Sequence, residues 1–346
     1  MKRLVAGALT VLAVVGGLAA AGPARASSSA WYQTLQVNRS GTFSDIAAIS
    51  KTNIWAVGDL FGKKDRTIYQ PFIRHFDGSG WKAVTIPGSP RFESDLVSAS
   101  ARNNVWVIGL NSAGTSVAYR YDGSHWHKIR VPAETFLQGA VALGPRNVWA
   151  FGDSGTLFAP HCSVSADVFH WNGSKWRGYC LAGGNVMGES ISASATNNVW
   201  IAGALLTVSS EQAVAYRWNG THWHKADAGI PRAHTTAAVS AISRSNVWIG
   251  WNSRVAHWNG RHWRILTTPF YADPTNVVPD GKGGYWFGFA AIRTGNRWRQ
   301  EPEIAITGGL GPVVRIPGTE SFLLPATVKV SNTSTIQKPT LYRFNL

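Results

Sequence analysis

Acidic residues are scarce in this chain: 18 Asp and Glu against 33 Lys and Arg, for a formal charge of +15 over 346 residues. Cysteine occurs only at Cys162 and Cys180, which excludes a cysteine-rich metal module and a dense disulfide scaffold. No helical periodicity is present beyond the first residues, and no later apolar run is long enough to cross a membrane. The one long apolar run, Leu4 to Gly22, follows Lys2 and Arg3 and precedes Ala24-Arg25-Ala26. That order of charge, apolar stretch and small-x-small site predicts an export signal over 1–26, a mature domain over 27–346 and a secreted, extracellular protein without stable membrane insertion. Cleavage takes away Lys2, Arg3 and Arg25 and leaves +12, a charge suited to anionic surroundings. In an oxidising compartment the two cysteines are expected to pair and pin a long loop to its own sheet.

What the chain has in abundance is tryptophan, 17 residues, and a recurring pattern that holds it. Asn, an aliphatic residue and Trp are followed by an aromatic, Asp/Asn-Gly and a second Trp. Copies start at Asn53-Ile54-Trp55, Asn104-Val105-Trp106, Asn147-Val148-Trp149, Asn198-Val199-Trp200 and Asn246-Val247-Trp248. Each copy reads as four short strands, with Asp77-Gly78, Asp122-Gly123, Asn172-Gly173, Asn219-Gly220 or Asn259-Gly260 in the last hairpin. A weaker sixth copy contains Tyr285-Trp286 and Trp298. The chain then stops on Tyr342-Arg343-Phe344-Asn345, a third strand lacking its fourth, while Trp31–Val37 matches a fourth strand lacking its third. The N-terminal strand therefore completes the last unit. Seven units closed into a ring leave no free sheet end.

Sixteen of the tryptophans fall on three repeated positions and are expected to pack neighbouring sheets; only Trp251 is out of register, where other units have Gly58, Gly109, Gly152 or Gly203. The basic residues after the second Trp of each unit (Lys82, Lys128, Arg177, Lys225, Arg264, Arg299) suit protection of outer edges. Those before the third-strand aromatic (His75, Arg120, His170, Arg217, His257, Arg343) suggest interblade hydrogen bonds or cation–π contacts.

These repeats resemble bacterial seven-bladed β-propellers. Asp77-Gly78-Ser79-Gly80-Trp81 is similar to the Asp-box hairpin of sialidase-like propellers, one residue shorter, and Ile54-Trp55-Ala56-Val57-Gly58 to tectonin-type repeats. Secreted actinobacterial proteins with Asn-Val-Trp-Ala-Val-Gly repeats resemble the chain most. The resemblance implies an all-β, seven-bladed β-propeller of four-stranded antiparallel blades. It transfers no catalytic residue, since the sialidase-like Arg triad and Tyr/Glu pair find no match.

In such a ring the second-to-third and fourth-to-first connections share one face, and here they are the long, irregular ones. Near that face the sequence places Asp45, Phe92, Asp95, Glu189, His234, Trp251, Tyr271 and Asp273 as candidate ligand contacts, acidic and aromatic groups suited to a sugar. No metal or other cofactor is implied: His125-Trp126-His127 and His222-Trp223-His224 each lack a third ligand nearby. Gly152-Asp153-Ser154-Gly155 is a strand end in register with Gly58-Asp59, not a protease nucleophile. The partner expected is an extracellular glycan or anionic envelope polymer, bound lectin-like without catalysis. A secreted protein partner is one alternative. The other is polysaccharide hydrolysis or lyase chemistry, with two of Asp45, Asp95, Glu189 and Asp273 as acid and base. Scattered positive charge and the lack of a recognition helix exclude nucleic acid.

Overall fold

The computed structural model describes residues 31–346 except 63–69, 90, 133–134, 154–167, 183–184, 207–210, 227–237, 252–253, 269–275, 289–290, 302–303, 305–307 and 331–335. Seven antiparallel sheets follow one another along the chain. From the innermost strand outward, blade one is Gly41–Ser50, Asn53–Leu60, Gln70–Phe76 and Trp81–Val84. Blade two is Glu93–Ala101, Asn104–Leu110, Ser116–Tyr121 and Trp126–Ile129. Blade three is Phe136–Gly144, Asn147–Asp153, Val168–Trp171 and Trp176–Tyr179. Blade four is Asn185–Ala195, Asn198–Leu206, Glu211–Trp218 and Trp223–Lys225. Blade five is Ala238–Ser243, Asn246–Trp251, Arg254–Trp258 and Trp263–Thr267. Blade six is Val277–Pro279, Gly284–Phe287, Ala291–Thr294 and Arg297–Gln300. Blade seven joins Gly308–Leu310 and Val314–Arg315 to Ser321–Lys329, Gln337–Asn345 and, as its outer strand, Tyr32–Gln36.

The ring closes as the sequence predicts. Tyr32 pairs with Arg343 and Gln36 with Thr340. Thr34 Oγ1 also donates to the Leu341 carbonyl at 3.1 Å, across a separation of 307 residues.

The Asn-x-Trp signature has a local cause. Asn53, Asn104, Asn198 and Asn246 open second strands, and their side-chain carbonyls accept the indole N–H of Trp55, Trp106, Trp200 and Trp248 two residues on, at 2.8–3.1 Å. The same oxygens accept from the third strand: His75 Nε2 at 3.0 Å on Asn53, Arg120 Nε at 3.0 Å on Asn104, His257 Nε2 at 3.0 Å on Asn246. His170 repeats this with Asn147 at 2.9 Å. The imidazoles of His75, His170 and His257 stack on Trp55, Trp149 and Trp248 at centroid distances of 4.1–4.3 Å. Burial lowers the pKa of all three, so the neutral ring is the one that stacks. These contacts lie within a blade, which corrects the interblade role expected for the recurring basic residue.

Between blades, aromatic rings interlock. Trp55 packs on Tyr121 and Trp126, Trp106 on Trp171 and Trp176, and Trp149 on Trp218 and Trp223. Trp200 packs on Trp263, and Trp286 on Phe344 and Trp31. Each second-strand Trp thus fills the slot against the next blade, at ~150–250 Å² buried per ring.

The last hairpin of blades one to five is an Asx turn. Asp77 Oδ1 accepts from the Ser79 N–H and Oγ and the Gly80 N–H; Asp122, Asn172 and Asn219 do the same in their blades. The glycine that follows must be left-handed, with φ of 99° at Gly78.

Candidate functional site at the axial mouth

The innermost strands leave one edge unpaired around the axis, and their exposed N–H groups need acceptors. Side chains of the preceding blade supply them. Asp45 Oδ2 accepts from the Val97 N–H at 2.9 Å, Ser98 Oγ from Ala142 at 2.8 Å, and Ser190 Oγ from Val239 at 3.1 Å. Ser192 Oγ serves Ala241 at 2.9 Å and Ser240 Oγ serves Val277 at 3.1 Å.

This fixes the role of Asp45, whose other oxygen accepts the Ile46 N–H at 2.8 Å. Oδ2 ties blade one to blade two while Oδ1 is held within its own strand, and burial pushes the pKa up to about 7 against the pull of these two N–H bonds. Two more expected contacts are core residues. Trp251 is 2% exposed among Trp200, Val239, Val247 and Ile249, and Phe92 is 2% exposed against Tyr119 at 5.2 Å. Neither offers a ring face for stacking a sugar. Trp251 looked like a surface platform because glycine stands there in four other blades; a large ring at that point turns inward and fills the space between blades four and five. His234, Tyr271 and Asp273 lie outside the described residues, as do Cys162 and most of the long connections on this face.

Asp95 and Glu189 occupy a different position, shared by four blades. The inner strands of blades one to four each bulge at the same point: between Phe43 and Asp45, Ser94 and Leu96, Leu137 and Gly139, and Gly188 and Ser190. The inserted residues are Ser44, Asp95, Gln138 and Glu189, all polar and all half-buried. A bulge frees its extra residue from the ladder and re-aims it, a device common beside binding sites. Sequence reasoning missed Ser44 and Gln138. A signal existed, since Gly58, Gly109, Gly152 and Gly203 mark where the bulged strand closes on its neighbour.

Around Asp95 the carboxyls are crowded. Asp59 is 5% exposed and accepts the Ser94 N–H at 2.8 Å; Ser94 Oγ in turn donates to the Gly58 carbonyl. Burial, with Asp95 and Glu93 nearby, pushes Asp59 up to about 8. Burial and then Glu93 push Asp95 up to about 6, and burial raises Glu93. Near neutral pH the mouth of blades one and two therefore presents a protonated Asp59, and below about pH 6 a protonated Asp95 as well, carboxyls that both donate and accept hydrogen bonds.

The opposite face, with the short turns, is basic. His222 and His224 meet edge to face at 4.7 Å, and His127 Nε2 pairs with Asp122 at 2.6 Å. Among the described residues no group of three or more His, Cys, Asp or Glu is placed to hold a metal ion, and no helix is long and apolar enough to cross a membrane.

The fold defines a class, the seven-bladed β-propellers. No family model and no curated protein matches the chain. Among solved structures, one described as YCF48 bound to D1 peptide aligns with a TM-score of 0.58 at 15% identity, over 93% of this chain and 96% of that one. YCF48 from Cyanidioschyzon merolae aligns at 0.55 and 14%, over 91% and 98%. The β-propeller domain of the Trilobed protease from Pyrococcus furiosus aligns at 0.56 and 10%, over 90% and 94%. At these identities the likeness is one of fold.

Proposed function

We propose that this is a secreted, non-catalytic binding protein whose irregular face recognises an extracellular or cell-envelope glycan. The observation that carries the reading is the arc of bulged residues at the axial mouth. Ser44, Asp95, Gln138 and Glu189 stand at one structural level in four consecutive blades, with the side-chain chemistry that pairs with sugar hydroxyls. The Asp95 carboxylate accepts such bonds near neutral pH, and below about pH 6 its protonated form donates one as well. Export through residues 1–26 and a Cys162–Cys180 bond belong to the same reading. The catalytic alternative is weaker, because Asp45 has both oxygens engaged by backbone N–H groups and is not free to act as acid or base.

A glycan array tests this. Selective binding by the wild type, lost in Asp95→Asn and Gln138→Ala with unfolding midpoints unchanged, is the expected result. A blank array with capture of one secreted protein would move the reading to an interaction scaffold. Sugar release would move it to a hydrolase or lyase.

A further inference from the structure

Blades two to five and blade seven each set an aromatic pair, from the facing ends of the third and outer strands, against the second-strand Trp of the blade before; in blade six Arg293 and Trp298 stand at those positions. Blade one presents Phe76 and Trp81, 5.5 Å apart, but the preceding blade is blade seven, and register puts Leu323 where the Trp belongs. Leu323 pairs with Arg343 as Trp55 pairs with His75. The slot that an indole fills elsewhere is consequently open, and a groove of about 390 Å³ occupies it, on the short-turn side of the closing seam. Leu323 and Ile316 line its apolar side, Phe76 and Trp81 its aromatic side, and Lys51 and Arg343 bring two cations to it. Arg343 is held by Ser321 Oγ at 2.8 Å and Asn345 Oδ1 at 3.2 Å, and Lys51 is exposed.

We propose that this seam groove binds a small planar aromatic acid, the ring taking the place of the missing indole and the anionic group meeting Lys51 and Arg343. The ring's own slots are the template: the Trp286 indole lies 4.9 Å from Phe344 and 5.7 Å from Trp31, the blade-seven counterparts of Phe76 and Trp81. A ligand stacked there gains aromatic contact on surfaces the fold already shapes for it, at no cost of reorganisation. The two cations favour an acid over a neutral ring. The volume lies within the ~300–1,000 Å³ of small-molecule sites. This goes beyond the glycan reading and concerns the opposite face.

Titration of the secreted protein with indole-3-acetate, followed by calorimetry and ligand-observed NMR, tests it. Saturable 1:1 binding between about 10 μM and 1 mM is expected for a ligand of this size, weaker by at least about threefold for uncharged indole and lost for cyclohexylacetate. Leu323→Trp fills the slot from within and should abolish binding with the unfolding midpoint unchanged or raised. Should that variant not fold, Lys51→Glu, at an exposed site, decides: binding weakened about threefold or more supports the site. No saturable binding by the folded wild type, equal binding of cyclohexylacetate, or undiminished binding in the folded variants would overturn it. Asp95→Asn should bind indole-3-acetate like the wild type and Leu323→Trp should keep any glycan pattern, so the two readings fail separately.

Discussion

Substituting Asn104 by Ala should destabilise this protein far more than the size of the side chain suggests. Asn104 is 1% exposed, and its carbonyl accepts from Trp106 Nε1 at 3.1 Å and Arg120 Nε at 3.0 Å. Its amide donates to Ser100 Oγ at 2.8 Å. Alanine leaves two buried donors without an acceptor, at about 1–3 kcal/mol each, one of them charged. A loss of about 2–5 kcal/mol is expected, visible as a lower urea midpoint at unchanged m. Asn104→Asp keeps both acceptor bonds and should retain most of the stability. Blade three supplies an internal control. Asn147 accepts from His170, but the Trp149 indole N–H finds no partner among the described residues, so Asn147→Ala should cost about half as much. Equal losses at the two sites, or a loss below about 0.5 kcal/mol at Asn104, would refute the shared-acceptor account of the repeat.

Stability should also fall as pH rises. The folded pKa values of Asp59 (about 8), Asp45 (about 7) and Asp95 (about 6) exceed the unfolded 3.8, so the folded state holds extra protons. That contribution is complete below about pH 4 and is lost as pH climbs through 6 to 8. Asp59→Asn should flatten the upper part of the slope, and stability that rises between pH 5 and 8 would contradict the protonated mouth. Gly78→Ala forces a φ of 99° on an L-residue and sets a methyl 2.7 Å from Thr52 Cγ2; thermal melting should show a loss of about 1–2 kcal/mol. Trp251→Ala opens a core cavity and should cost about 3–5 kcal/mol in urea unfolding, where a true surface platform would cost little.

The sequence carried the architecture because the repeat states it many times. Tyr342–Asn345 read as a third strand lacking its fourth, Trp31 and Tyr32 matched Trp81 and Lys82, and together these located the closing strand opposite Arg343. The site was less legible because its decisive partners lie in other blades. Nothing adjacent to Asp45 indicates that Val97, 52 residues on, will donate to it. Trp251 was correctly aligned with Gly58 and its counterparts, yet alignment does not say whether a ring points inward. The bulged Ser44 and Gln138 have no distinctive residue type, and only the glycine of the paired strand betrays them. Leu323 was readable in principle: Ser321-Phe322-Leu323-Leu324 is the one second strand without a Trp, an absence easily passed over in a chain with seventeen.

That absence falls at a position the fold can tolerate. Interfaces between successive blades depend on side-chain packing, to which the second-strand Trp contributes most of its large buried area. At the seam between blades seven and one the segment that closes blade seven also takes part in the packing. Tyr32–Gln36 is hydrogen-bonded to Gln337–Asn345, and the chain from Gln36 to Gly41 then leads straight into blade one. Val37 donates to the Pro339 carbonyl at 3.0 Å, and Leu35 and Val37 pack with Leu323, Leu341 and Phe76. Apolar contacts of the closing segment thus pack the seam without an indole in the slot. The groove lies at this interface, where Leu35 and Leu323 line it in place of the ring that fills the other slots.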